Sequence, residues 1–446
     1  MKKVQLFLIS TITLFLLAMS GPMMAADMLP AALKAGKPYN GTAIDVFLCC
    51  PKTGQFQQWY NFTPEFTKMT GIDVKYHWQP WGNAQEKIMN EFVSDTGAFD
   101  VMIFLDAWGP GYQNYLEPLN KYIARDGLDI GNWPPAFING ATYGDEGNIY
   151  GMPVRGHAQL LFYRADIFDK LGLKAPKTFA ELETASKKIT AETDMHAMAY
   201  YYGRGSQAQN LMVWMTYLWG NGGDLFDKNW KPVFNSARAI EATKRYTGML
   251  TDLKVVPPNA INYAEGEGRK SVMQGESAMT ITWWWAYANM TDPKKAQPEV
   301  VKGLKFASVP SWEGRGSGTY ALSMPLGMAA NSDSKDASWE FIKWISNNKD
   351  LQKKIALDTN FPNNVVSLNE AFQDSEINAH WDNIQKTAFA GLKNSDVMPM
   401  IMEWAEISTV LETSINSIAS GKDAKSELDQ AAKEVEEIME REGYYQ

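Results

Sequence analysis

The chain has 446 residues, with 42 Lys and Arg against 51 Asp and Glu, for a formal net charge of −9. That balance excludes partners held by polyanionic charge, both nucleic acid and anionic membrane surfaces. The length exceeds what one hydrophobic core normally holds, so two domains are expected.

The elements follow in chain order. Lys2-Lys3, the apolar run from Val4 to Met19, the break at Gly21-Pro22 and the small pair Ala25-Ala26 read as an export signal over residues 1–26. The run is too short and too quickly broken for a spanning helix. The mature chain is expected to start near Asp27, with no lipid anchor and no later membrane span. Ala43 to Cys49 is a short apolar strand that ends on Cys49-Cys50, the chain's two cysteines. Two readings stay open. Export favours a strained vicinal disulfide that presents a rigid apolar face, and the alternative is two small thiols ending a strand. Without neighbouring His or further Cys they form no zinc site, and no metal or cofactor is expected.

Phe56 to Thr70 repeats apolar residues at helical spacing and stops at Gly71. Ile72 to Trp78 alternates as a strand, Asn83 is placed to cap a helix through Val93, and Phe99 to Leu105 is a buried strand. This β-α-β-α-β order predicts an α/β fold with a mostly parallel sheet flanked by helices. Ligands of such sheets bind beyond the carboxyl ends of the strands. Those ends are Cys49-Cys50, Trp78 to Trp81, and Asp106-Ala-Trp108. Asp106 is either a helix N-cap or an acceptor for ligand hydroxyls, and the second is favoured.

Helices are predicted over Phe179–Ile189, Leu211–Trp219 and Ala237–Leu253, with a glycine turn at Asn221-Gly-Gly between the last two. Trp283, Trp284 and Trp285 then stand in a row after Ser277-Ala-Met-Thr-Ile-Thr. Successive side chains on a strand alternate faces, so the three rings point in different directions. At most two are expected to meet a ligand, and a flat indole suits the apolar face of a sugar. A strand over Gly303–Pro310 and helices over Ala337–Ile345, Asp396–Ile418 and Ala424–Glu440 complete the chain.

Several segments resemble, in order, the sugar-binding family of extracellular solute-binding proteins of ABC importers, which includes maltodextrin-binding protein. They are Gly71-Ile-Asp-Val, Gly151-Met-Pro-Val followed by Leu160-Leu-Phe-Tyr-Arg-Ala-Asp, Asn221-Gly-Gly with Phe234-Asn-Ser-Ala-Arg-Ala, Met273-Gln-Gly-Glu-Ser-Ala-Met-Thr-Ile, Asp396-Val-Met-Pro, and Ile418-Ala-Ser-Gly-Lys. Arg164 departs from the family, which has Asn or Asp after the Tyr. The resemblance implies a two-lobed periplasmic-binding-protein fold whose hinge is crossed more than once. Residues 27–153 with 310–361 would form the N-terminal lobe, and 154–309 with 362–446 the C-terminal lobe. It places Trp285 where the maltodextrin-binding member stacks sugar, and His157 where that member has a ligand-contacting Glu.

The candidate ligand set is Cys49, Cys50, Trp78, Trp81, Asp106, Trp108, Arg155, His157, Asn210, Trp283, Trp284, Trp285 and Trp404, with no catalytic residue. Trp78, Trp81 and Trp404 also suit packing roles. Abundant indoles with few cations favour a neutral sugar or polyol, with Arg155 the exception as an anion clamp. The expected product is a periplasmic monomer that hands its ligand to an ABC permease in the inner membrane. The alternatives are a secreted hydrolase using paired carboxylates and a sensor presenting sugar to a membrane receptor.

Overall fold

The computed structural model describes residues 39–50, 52–144, 146–205, 208–360 and 365–445. The export signal expected over residues 1–26 lies outside them.

Eleven strands are described: β1 (Ala43–Leu48), β2 (Asp73–Trp78), β3 (Val101–Ile103), β4 (Thr142–Tyr143), β5 (Asn148–Ile149), β6 (Met152–Arg164), β7 (His196–Met198), β8 (Ser277–Trp283), β9 (Leu304–Ala307), β10 (Thr319–Met328) and β11 (Ser395–Asp396). The main sheet runs β2-β1-β3-β10-β6-β8-β7, with β9 on β6 and β11 on β10, while β4 and β5 form a small ribbon of their own. The strands β2, β1 and β3 are parallel, as the β-α-β-α-β reading predicts. The other half is mixed rather than mostly parallel: β6 runs antiparallel to β10, β8 and β9, and β7 is parallel to β8.

The sheet therefore has a parallel half and a mixed half, and the long strands β6 and β10 connect them. One end of β10 pairs β3 through Leu326–Met328, and its middle pairs β6 from Ala321–Ala158 to Leu326–Met152. Beyond that stretch β6 continues along β8 through Gln159 to Tyr163. Both strands are buried along nearly their whole length. A strand buried on both faces has no polar side to show, so it lacks an alternating pattern.

Helix boundaries follow local chemistry. The helix Gly54–Thr70 ends at Gly71, whose φ of 81° is the left-handed value that terminates helices. Its buried face carries Phe56, Trp59 and Phe66, and Phe66 packs on Phe341 and Trp344 of the helix Lys335–Ser346. Trp81, not Asn83, opens the next helix, because Pro80 fixes the preceding turn. The helix expected from Asp396 starts only at Trp404. Pro399 lies in that stretch and disfavours helix in the residue before it. Helices Gln209–Gly220, Ala237–Thr251, Trp404–Ala419 and Ala424–Arg441 pack on one another, and the first of them packs on β10. Among the described residues, no helix is long and apolar enough to cross a membrane.

Candidate ligand cavity

The paired strands β6 and β10 form the floor of a cavity of about 770 Å³. Arg155 and His157 are two apart on β6 and so project from the same face. Their register partners are Met324 and Leu322, and all four line the cavity. The residues between them face the other way. Gly156 lies against Phe137, where an added Cβ would come within 2.0 Å of the ring.

One wall comes from the β1 side. Cys50, Lys52 to Phe56, Trp81 and Leu105 line it. Gln55 anchors the start of its helix to the crossing: its Nε2 donates to the Val365 carbonyl at 3.0 Å, and its Oε1 accepts from the Val365 N–H at 3.0 Å. The Trp81 ring lies 5.0 Å from that of Trp108, which is buried behind it. The other wall comes from Gln209 and Met212, from Glu265 and Arg269, and from Trp283, Trp285 and Lys295. Glu265 and Arg269 stand one helical turn apart and pair at 2.6 Å. Glu265 also accepts from the Thr282 hydroxyl. The Arg269 guanidinium lies 5.1 Å from the Trp285 ring.

Strand alternation sorts the three indoles. Trp283 ends β8 opposite Gln159 and faces the cavity. Trp284 points away: it is 3% exposed, and its indole N–H donates to the Gly156 carbonyl at 3.0 Å. Trp285 returns to the cavity, and its indole N–H has no acceptor among the described residues. The His157 ring meets Trp283 edge-on at 5.6 Å and Trp285 at 6.2 Å. Burial, reinforced by the Arg155 charge, pushes its pKa well down, so the imidazole is neutral. Its Nε2 has no partner among the described residues. Burial likewise lowers the pKa of Arg155, yet a guanidinium stays protonated at neutral pH.

Of the sequence-predicted set, the structure therefore brings together Cys50, Trp81, Arg155, His157, Trp283 and Trp285. It places the others elsewhere. Asp106 is fully buried; its carboxylate accepts from the Ser323 N–H at 2.7 Å and the Ala107 N–H at 2.8 Å, tying the end of β3 to β10. It is enclosed beneath the floor and does not line the cavity. Trp78 ends the edge strand β2 and stacks on Tyr76 at 5.4 Å. Asn210 is buried one residue beyond Gln209 and donates to the Glu412 carbonyl at 2.9 Å. Trp404 is 4% exposed in the core, at the start of its helix. Trp108 backs Trp81 and Trp284 packs on Phe372, and neither lines the cavity itself.

Cys49 is buried behind Cys50, and the two are thiols rather than a disulfide. Their sulfurs lie 3.5 Å apart, within hydrogen-bonding distance. They end a strand, so Cys49 turns to the core while Cys50 turns to the cavity. Burial pushes the Cys49 thiol well up, and the bond from Cys49 brings the Cys50 thiol down.

Sequence reasoning missed Lys52 to Phe56, Leu105, Gln209, Met212, Glu265, Arg269, Lys295, Leu322, Met324 and Asn360. The spacing of Glu265 and Arg269 on one helix face was a usable signal for a paired charge. The cross-strand partners Leu322 and Met324 required the β6–β10 register, which no local pattern specifies. Among the described residues, no group of three or more His, Cys, Asp or Glu could hold a metal.

This fold and cavity define a class of protein that holds a small solute between two lobes. Residues 51–352 match the family model for bacterial extracellular solute-binding proteins, and the chain belongs to that family. It is similar to a putative binding protein of Brucella abortus, 25% identical over 377 residues that cover 83% of this chain and 87% of the relative. A solute-binding protein of an ABC transporter from Agrobacterium radiobacter, solved with ribitol, is 25% identical with a TM-score of 0.75, covering 90% of this chain and all of that one. Maltose-bound MalE3 of T. maritima shares the fold, with 21% identity, a TM-score of 0.77, and coverage of 89% of this chain and all of that one.

Proposed function

We propose that the chain is the solute-binding component of an ABC importer, exported to the periplasm, and that it captures a sugar or polyol in this cavity and passes it unchanged to a membrane permease. The observation that carries this reading is the lining itself. Three indoles line it, Trp283 and Trp285 edge-on to the neutral imidazole of His157 and Trp81 on the other wall, above a floor built from β6 and β10. Indole faces suit the C–H surface of a sugar, while the Trp285 N–H and His157 Nε2 supply hydrogen-bonding groups for its hydroxyls. The lobe boundaries proposed above put three crossings, near residues 153, 310 and 361, and closure about β6 and β10 would enclose the ligand.

The hydrolase alternative meets a specific obstacle. Glycoside hydrolysis uses two carboxyl groups across the scissile bond. Among the described residues lining the cavity, Glu265 is the one carboxylate, and Arg269 and Thr282 already hold it. A thermal-shift screen of sugars, polyols and sugar acids tests the binding reading, because a ligand of the folded state raises the melting temperature by mass action. At least one should do so in wild type and not in Trp285→Ala. A screen in which no member shifts the transition overturns the reading.

A further inference from the structure

Two of the four cationic residues that line the cavity are paired with carboxylates, and a third, Lys52, is exposed to solvent. Arg269 Nε lies 2.6 Å from Glu265, Lys295 Nζ lies 3.4 Å from Asp292, and Lys52 Nζ sits 3.2 Å from the ring centroid of Tyr60. Arg155 differs. Only 9% of it is exposed. It makes no hydrogen bond or ion pair with any described residue, and its Nε is buried without an acceptor. Its guanidinium rests 5.0 Å from the ring of Phe56. Unlike Lys or His, Arg cannot escape the cost of burial by shedding its proton. A buried charge without a counter-charge destabilises a fold, and a bound anion offsets that cost.

The surroundings act in the same direction. The 17-residue helix Gly54–Thr70 begins at this wall, with Gly54, Gln55 and Phe56 lining the cavity and no acidic residue in its first turn. The positive end of its dipole therefore adds to the charge of Arg155. His157 brings no negative charge, and the cross-strand neighbours Leu322 and Met324 are apolar.

We propose that the solute is a sugar acid whose single carboxylate sits on the Arg155 guanidinium beside the start of this helix, with its carbon skeleton against Trp81, Trp283 and Trp285. The proposal rests on the sugar-binding reading above and narrows it. One buried cation without a carboxylate partner matches one negative charge. A phosphate dianion would need a second buried one, but Arg269 and Lys295 are paired with carboxylates and Lys52 is exposed to solvent. The planar guanidinium fork also matches the two oxygens of a carboxylate.

Titration calorimetry of the mature protein with matched pairs tests this: glucose with gluconate and glucuronate, galactose with galacturonate, and glucose 6-phosphate beside them. At least one acid should bind about 100-fold or more tightly than its neutral partner. Arg155→Gln should abolish that gap, and Arg155→Lys, which keeps the charge but not the fork, should restore part of it. Ligand-free Arg155→Gln should also melt above wild type, because the unpaired charge is gone. A neutral partner that binds as well as its acid, with affinity unchanged in Arg155→Gln, overturns this inference and leaves the sugar-binding reading standing. Tighter binding of the sugar phosphate overturns the carboxylate assignment. A lower ligand-free melting temperature with undiminished acid binding makes Arg155 structural and also overturns it. No heat from any compound overturns both readings.

Discussion

Trp284 and Trp285 are adjacent, yet truncating each to Ala should produce opposite phenotypes. Trp285 presents its ring to the cavity and is only partly buried. A stacked sugar would cover about a third of the 150–250 Å² that an aromatic side chain buries. At ~25 cal/mol per Å² that is roughly 1–2 kcal/mol. Directional ring contacts add about 0.5–1 kcal/mol, so Trp285→Ala should weaken binding by about 2 kcal/mol, or roughly 30-fold. Its effect on ligand-free stability should be small. Trp284 is 3% exposed, packs edge-on against Phe372 at 6.1 Å and donates to the Gly156 carbonyl. Its removal leaves a cavity and an orphaned carbonyl, at a cost of about 3–5 kcal/mol of stability. Calorimetry with the best ligand of the thermal screen, paired with urea unfolding of each ligand-free variant, separates the two. If Trp285→Ala unfolds as readily as Trp284→Ala while keeping wild-type affinity, the alternation argument is refuted.

Gly156→Ala should destabilise the protein by about 1–3 kcal/mol, since its Cβ would sit 2.0 Å from the buried Phe137 ring; an unchanged urea midpoint contradicts this. Burial holds the Asp106 carboxyl up at about 7, so the folded state keeps a proton that the unfolded chain releases above roughly pH 4, and this group's contribution to stability falls as pH rises from there through 7. Asp106→Asn should remove that slope and also cost about 1–3 kcal/mol, because an amide offers its oxygen to only one of the two backbone N–H groups; urea unfolding across that pH range that shows the wild-type slope in the variant counts against the assignment. Iodoacetamide should label Cys50 in the native protein and Cys49 only after unfolding, given the buried position of Cys49 and the lowered pKa of Cys50. Peptide mapping that finds a Cys49–Cys50 disulfide in unreduced protein would contradict the thiol pair.

The first half of the fold was legible because its strands are short apolar runs bounded by breakers, as at Ala43–Leu48 and before Gly71. Strands β6 and β10 were not. Each is buried along its length, and β6 carries Arg155, Gly156, His157 and Gln159, so neither apolar alternation nor a clean apolar run marks it. The cavity shows the same division. The rings of Trp283 and Trp285 follow from strand alternation alone, and Trp81 from its place beyond β2. The pairing of Arg155 and His157 with Met324 and Leu322 depends on register between strands more than 150 residues apart in sequence. Asp106 misled because a carboxylate at a strand end suits a ligand. Its apolar neighbours, Val101 to Leu105 and Trp108, were the sign that it is enclosed.

The central claim is that one sugar-class molecule is held, chemically unchanged, against Trp81, Trp283 and Trp285. Titration to saturation, with mass spectrometry of the solute recovered after prolonged incubation, tests it most directly. The account predicts one molar equivalent bound and a recovered solute identical in mass to the one supplied. A cleaved or otherwise modified sugar, or saturation undiminished in a Trp81→Ala/Trp285→Ala double variant, would contradict it.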